Sequence, residues 1–233
     1  MAKPTTENIN YTLSEAKKQW FVSEIPVLQA VISIPQCTSK KPTSIEKRLN
    51  RYYQQCSRSF LSYCERYLYP KAAAEFKNCV SSGIPFALPE AAYTSNISCT
   101  ENQILSAYTD CTERFSAAQE LIVRYSDTWD LRAGRPISAK ECFPHSTKLK
   151  KLCTESALKH CQTQISAGLC VYLDHLPMRL KRYFNPRNFY LSDTGFHFFY
   201  QPYSIAPASE GFPTFCLPFS DESGPVWPVP ISC

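Results

Sequence analysis

Cys142, His145 and Cys153 are the residues whose types and spacing come nearest to a reactive centre. Tetrahedral zinc is held by thiolates and imidazoles, often a few residues apart. A Cys142-x-x-His145 pair meeting Cys153 at the start of a helix would supply three of the four ligands. No fourth ligand is evident, and no C-x-x-C pair occurs among the twelve cysteines. The same residues would serve thiol chemistry only with a thiol set beside an oriented base. His160 and Cys161 are adjacent, but neighbours on a helix point about 100° apart and do not form a dyad. His175 and His197 are isolated, and Glu101, Asp110, Asp127 and Asp130 suit turns and strand edges. Six glycines include no G-x-G-x-x-G or Walker loop, which argues against nucleotide binding. No catalytic residue is assigned, and no cofactor is expected.

Zinc is one of three readings of the cysteines. A disulfide framework needs an oxidising compartment, and a chain of 233 residues with 44% hydrophobic and 13% aromatic residues can build a core without staples. The third reading is a small buried hydrophobe. The positions favour it, since Cys56, Cys64 and Cys161 fall on helical apolar stripes and Cys99 on the apolar face of a strand. The thiols, and an opening Met1 to Asn8 without an apolar leader, point to the cytoplasm; an extracytoplasmic home is the alternative if the natural N-terminus lies outside this sequence. No run of about 18 apolar residues is present, so no membrane span is expected.

The net charge of +5 is uneven. Residues 44–78 carry seven Lys and Arg against Glu46, Glu65 and Glu75. Residues 146–187 carry Lys148, Lys150, Lys151, Lys159, Arg179, Lys181, Arg182 and Arg187 against Glu155 and Asp174, while no Lys or Arg follows residue 188. Solvated helix faces are the simpler explanation; attraction of an anionic partner, nucleic acid or a wall polymer, is the other.

The elements follow from periodicity. The β-branched run at 25–34 predicts a strand, and Thr43-x-x-Glu46 predicts the capping box of a helix. Ile45, Leu49, Tyr52, Tyr53, Cys56, Phe60, Tyr63, Cys64 and Tyr67 mark one face of that helix, with Pro70 expected to kink or end it. Three strands are predicted next, around 93–99, 104–112 and 121–129. The last should bury Leu121, Val123, Tyr125 and Trp129 and expose Arg124, Ser126 and Thr128. A turn at 131–136 relies on Gly134. A second helix runs from about Ser146 with the stripe Leu149, Leu152, Cys153, Ala157, Cys161 and Ile165, then a shorter one covers Val171 to Tyr183. A hairpin over 188–200 and a strand at 214–219 complete an α+β chain: a twisted antiparallel sheet packed against two long helices. The expected boundaries are a poorly ordered extension at 1–24, one domain at 25–222 and a Pro-rich extended tail at 223–233.

The stretch Asn188-Phe-Tyr-Leu-Ser-Asp-Thr-Gly195-Phe-His-Phe-Phe-Tyr200-Gln-Pro-Tyr203-Ser-Ile-Ala-Pro207, followed by Gly211 and Phe215-Cys-Leu-Pro218, resembles the closing signature of a bacterial domain-of-unknown-function family. That family forms the C-terminal, extracytoplasmic part of RsiV-type anti-sigma factors and accompanies PdaC-type deacetylases. Thr128-Trp-Asp-Leu-Arg-Ala-Gly134-Arg-Pro136 with Cys142-Phe143, and Ile34-Pro35, are similar to earlier motifs of the family. Many members carry Gly-Gly-Ala-His where Arg114-Phe-Ser-Ala-Ala-Gln119 stands here. The resemblance implies the fold. Because the RsiV domain binds lysozyme, it also implies a non-enzymatic recognition domain for a protein or glycan; no nucleic acid partner is expected. Tyr203 is expected to bury its ring and spend its hydroxyl on the backbone. Tyr190, Tyr200 and Tyr203 are the residues that would line a ligand groove, if they do not simply pack the core. The alternatives are a zinc- or thiol-dependent protein using Cys142, His145 and Cys153, or a structural subunit of a larger complex.

Overall fold

The structure, a computed structural model, describes residues 10–40, 43–116, 119–220 and 224–228. The chain divides into two compact units, Met1–Asn96 with Thr109–Ile122 and Ile97–Tyr108 with Val123–Cys233, where a single domain over 25–222 was expected. There are two sheets, not one. Strands β1 (Asn10–Val22), β2 (Ile25–Thr38), β3 (Glu90–Cys99), β4 (Ile104–Ser116), β5 (Gln119–Asp130) and β6 (Arg135–Pro136) lie in that order in a six-stranded sheet. Strands β7 (Phe189–Leu191), β8 (Gly195–Phe199) and β9 (Thr214–Pro218) form a three-stranded antiparallel one.

In the first unit, residues 10–22 belong to the sheet, where the sequence suggested an extension outside the fold. β1 pairs antiparallel with β2 along its whole length. The signal is hidden because of its thirteen residues only Trp20 is buried, and because the turn uses Ser23 and Glu24, both at positive φ (47° and 68°), instead of glycine. Lys17 and Lys18 mark it as a charged edge strand.

The expectation of a wholly antiparallel sheet fails at β2 and β3, which pair in parallel from Gln29↔Glu90 to Ser33↔Thr94. Parallel neighbours need a crossover, here one helical run made of α1 (Ser44–Tyr63), a π-helical turn (Cys64–Leu68) and α2 (Tyr69–Ser82). Thr43 caps it by accepting from the Glu46 N–H at 3.1 Å, while the buried Glu46 carboxylate accepts from Ser39. Pro70 does not end the run. It lacks an N–H, and its ring would clash with the carbonyl four residues back. The turn before it widens so that the Tyr69 N–H reaches the Cys64 carbonyl. That extra residue shifts the phase: Leu68 and Ala72 continue the buried stripe of Phe60 and Cys64, and Tyr67, predicted to be inside, is exposed. With Leu28, Ala30, Ile32, Ala91 and Phe115 these side chains make the core of the unit, its alanines allowing helix and sheet to approach closely.

In the second unit β5 departs from the expected alternation except at Trp129, which is buried as predicted. Val123 and Tyr125, like Leu121 before them, are exposed, and Thr128 is buried. Hydrogen bonding decides this. The Ser106 hydroxyl lies 2.9 Å from that of Thr128 and accepts the Leu191 backbone N–H at 2.9 Å, so β7 docks on a buried hydroxyl pair. Arg124 reinforces the joint. Its guanidinium carbon sits 4.2 Å from the Tyr108 ring centroid and 4.1 Å from that of Phe212. Its backbone N–H donates to Gln201 Oε1, and its carbonyl accepts from Gln201 Nε2. On the same side of the small sheet the Tyr190 ring lies between Tyr108 and His197. Its planes are 2° from those of His197 at 4.9 Å.

The opposite side of the small sheet carries Phe189, Leu191, Phe196, Phe198 and Phe215. Against them lies α3 (Leu149–Ser166) through Leu149, Cys153, Ala157 and Cys161. In place of two long helices the chain has the run at 44–82, this 18-residue helix and a short α4 (Leu176–Tyr183) that starts on Pro177. Ile165, placed on the α3 stripe by its spacing, is exposed in the last turn. Gly195 is obligatory at φ +155°, since a Cβ there would stand 2.3 Å from the Leu217 carbonyl oxygen of β9. Among the described residues no helix is long and apolar enough to cross a membrane. Of the expected tail, only 224–228 fall among the described residues.

Ser106→Ala should lower stability by about 1–3 kcal/mol in urea unfolding, because the Leu191 N–H and the Thr128 hydroxyl lose a buried partner; an unchanged midpoint would show that the pair is not what docks β7. His197 supplies a pH prediction. Burial holds its pKa below the ordinary imidazole value, with Asp193 opposing. The stability it protects is complete above the unfolded value near about 6.5 and is lost as pH falls from there through the lower folded value. Unfolding midpoints at pH 7.5 and 5.0 should therefore differ less in His197→Gln than in the parent chain.

Candidate functional site

The structure does not assemble the residues singled out for metal or thiol chemistry into a ligand set. Cys142 and Cys153 are buried in the core of the second unit, and His145 is exposed. Among the described residues no three His, Cys, Asp or Glu side chains converge as metal ligands. Burial raises the thiol of Cys142, with Glu141 adding to it, and raises that of Cys153 to about 12, so both stand as neutral thiols at neutral pH. None of the eleven described cysteines is paired in a disulfide, and six of them are buried. His160 is exposed with its ring against Phe215, while Cys161 is fully buried, as helical neighbours must diverge. Asp130 serves a turn by accepting from the backbone N–H groups of Arg132 and Ala133.

The three tyrosines do not share a groove. Tyr190 lies on the side of the small sheet that carries His197 and the Tyr108 ring, whereas Tyr200 belongs to the opposite, core side. Tyr203, expected to be buried, is 66% exposed. It sits in the turn after β8 at φ 63°, and that turn swings its ring outward. The role assigned to it falls to Tyr200, whose buried hydroxyl donates to the Leu180 carbonyl at 3.0 Å.

That bond helps to build the feature with most binding character. It fixes α4 on the small sheet, and the Arg179 guanidinium fixes it again by donating to the carbonyls of Asp174 and Ser204. α4 then packs against α3, and between them opens a groove of about 970 Å³, at the upper end of ligand-pocket sizes. Leu149, Leu158, Leu180 and Phe184 supply its apolar floor. Lys140, Lys148, Lys150, Lys151 and Lys181 line it, with Glu155 as the one acidic residue among the lining side chains. Of these lysines only Lys151 has an ion-pair partner among the described residues, Glu155 at 3.8 Å. The first turn of α3 holds no acidic residue, and Lys148 at its N-cap makes no side-chain cap. Cations therefore crowd the helix end where the backbone dipole favours anions.

Besides the lysines, the polar lining residues are Thr147, Thr154 and Glu155. A Leu- or Phe-sized group buried on the floor contributes about 1.5–3 kcal/mol. A solvent-exposed lysine–carboxylate pair contributes only about 0.2–1 kcal/mol. For any occupant of such a groove, apolar contact would supply most of the affinity, and the lysines would favour an anionic one. The basic run at 146–187 was visible in the sequence. Its convergence with Lys140 around an apolar floor was not, since the sequence spacing does not show α4 folding back on α3.

Residues 172–220, which include α4 and the small sheet, match the family model described as a protein of unknown function, DUF3298. Two solved structures are similar in fold. One is a DUF3298 family member from Bacteroides fragilis NCTC 9343, with a TM-score of 0.66 and 16% identity over 94% of this chain and 94% of that one. The other is a DUF3298 family protein from Pseudomonas aeruginosa PAO1, with a TM-score of 0.55 and 14% identity over 92% of this chain and 91% of that one. At such identities the likeness is one of fold. No curated protein matches the sequence. The chain thus carries a DUF3298 match at residues 172–220 and shares the fold of two members of that family over more than nine-tenths of its length.

Proposed function

We propose that this protein is a non-enzymatic recognition domain for a protein or a cell-wall-derived ligand, and that the groove between α3 and α4 is its recognition surface. The observation that carries this reading is the groove itself: an open concavity of about 970 Å³ with an apolar floor and five lysines. Apolar surface rimmed by polar groups is the usual mark of an interaction site. Resemblance to the extracytoplasmic part of the RsiV-type anti-sigma factors supports the same class by analogy.

The test presents the immobilised full chain with two probes, muramidase-released peptidoglycan fragments and a displayed random peptide library. Parallel columns carry Leu158→Asp, which places a charge on the floor, and Lys150→Glu with Lys181→Glu, which alters exposed positions only. Ligands should be retained by the parent chain, lost from both variants, and recovered with unchanged mass. Equal retention by parent and folded variants would remove the groove as the recognition surface, and fragments recovered cleaved or deacylated would overturn the non-enzymatic reading.

A further inference from the structure

Resting on that reading, we infer that the groove takes an acidic, amphipathic peptide segment of a partner protein, its apolar side chains on the floor and its carboxylates among the lysines. Charge complementarity selects the sign, because five lysines face a single glutamate and four of them have no ion-pair partner among the described residues. The floor selects the class. A polyanion without apolar groups would leave Leu149, Leu158, Leu180 and Phe184 wet and forgo the larger source of affinity. Nucleic acid fits less well. Single strands are held on successive stacking rings, and among the described residues Phe184 is the only aromatic side chain lining the groove and no arginine lines it. From Leu149 to Leu158 the α3 wall rises about 14 Å, the length of about four residues of extended chain. Two of the four would face the floor and two would reach outward to lysines on either wall.

The test uses fluorescence anisotropy with the full chain and labelled twelve-residue peptides. One alternates Leu and Phe with Glu, the second replaces Glu by Lys, and the third replaces Leu and Phe by Ser. A single-stranded oligonucleotide is the fourth probe. The acidic amphipathic peptide should bind at least tenfold more tightly than each of the others and weaken as NaCl rises from 50 to 500 mM. Lys150→Glu with Lys181→Glu, verified as folded by circular dichroism, should weaken that peptide at least tenfold and improve binding of the Lys-containing one. Equal binding of the basic peptide would overturn the inference. So would binding of the oligonucleotide or the Ser peptide as tight as that of the amphipathic one, since charge alone would then suffice. If wall fragments or library ligands occupy the groove while acidic peptides do not, recognition stands and this assignment of partner falls. If nothing occupies the groove, both fall.

Discussion

A buried pair of hydroxyls sets the architecture of the second unit. Ser106 and Thr128 face one another from β4 and β5, and the Leu191 N–H completes the arrangement by donating to Ser106. Hydroxyls removed from water must find partners, so this point of contact admits one register for β7. With β7 placed, β8 and β9 follow through their ladders. The aromatic side of the small sheet then receives α3, and Tyr200 and Arg179 hold α4 beside it. The groove is the last consequence of that series, a gap between two helices whose positions are dictated from below.

The same chain uses sulfur mainly as volume. Cys153 and Cys161 alternate with Ala157 on the buried stripe of α3, where three small side chains let the helix sit close to the phenylalanines of β7, β8 and β9. Cys64 does the same in the first unit, beside Ala72 and Ala30. Burial keeps these thiols protonated. Cys64 is raised to about 12 by loss of solvent and the nearby Glu113 carboxylate. Neutral thiols in apolar surroundings are poor nucleophiles.

Arg124 illustrates how a charged side chain can be structural. Set between the rings of Tyr108 and Phe212 and gripped at its backbone by Gln201, it occupies the inner side of β5. A guanidinium is weakly hydrated and planar, which lets it stack where a lysine would demand water. Lysine, by contrast, is what surrounds the groove, where its charge stays in contact with solvent.

Local periodicity by itself determined the capped start of α1, most of the α3 stripe, the hairpin of β7 and β8 and the tight turn at Gly134, because each depends on neighbours within a few residues. The charge run at 146–187 was equally plain. Tertiary structure decided the rest. β1 joins the sheet through backbone pairing that its polar side chains do not announce. On β5 Thr128 went inward beside Trp129 because its hydroxyl pairs with Ser106, against the alternation of apolar residues. Tyr203, in a turn, went outward, while Tyr200, just past the end of β8, went inward. The groove could not be read from spacing, for it is made by two helices meeting, and which faces meet depends on partners distant along the chain.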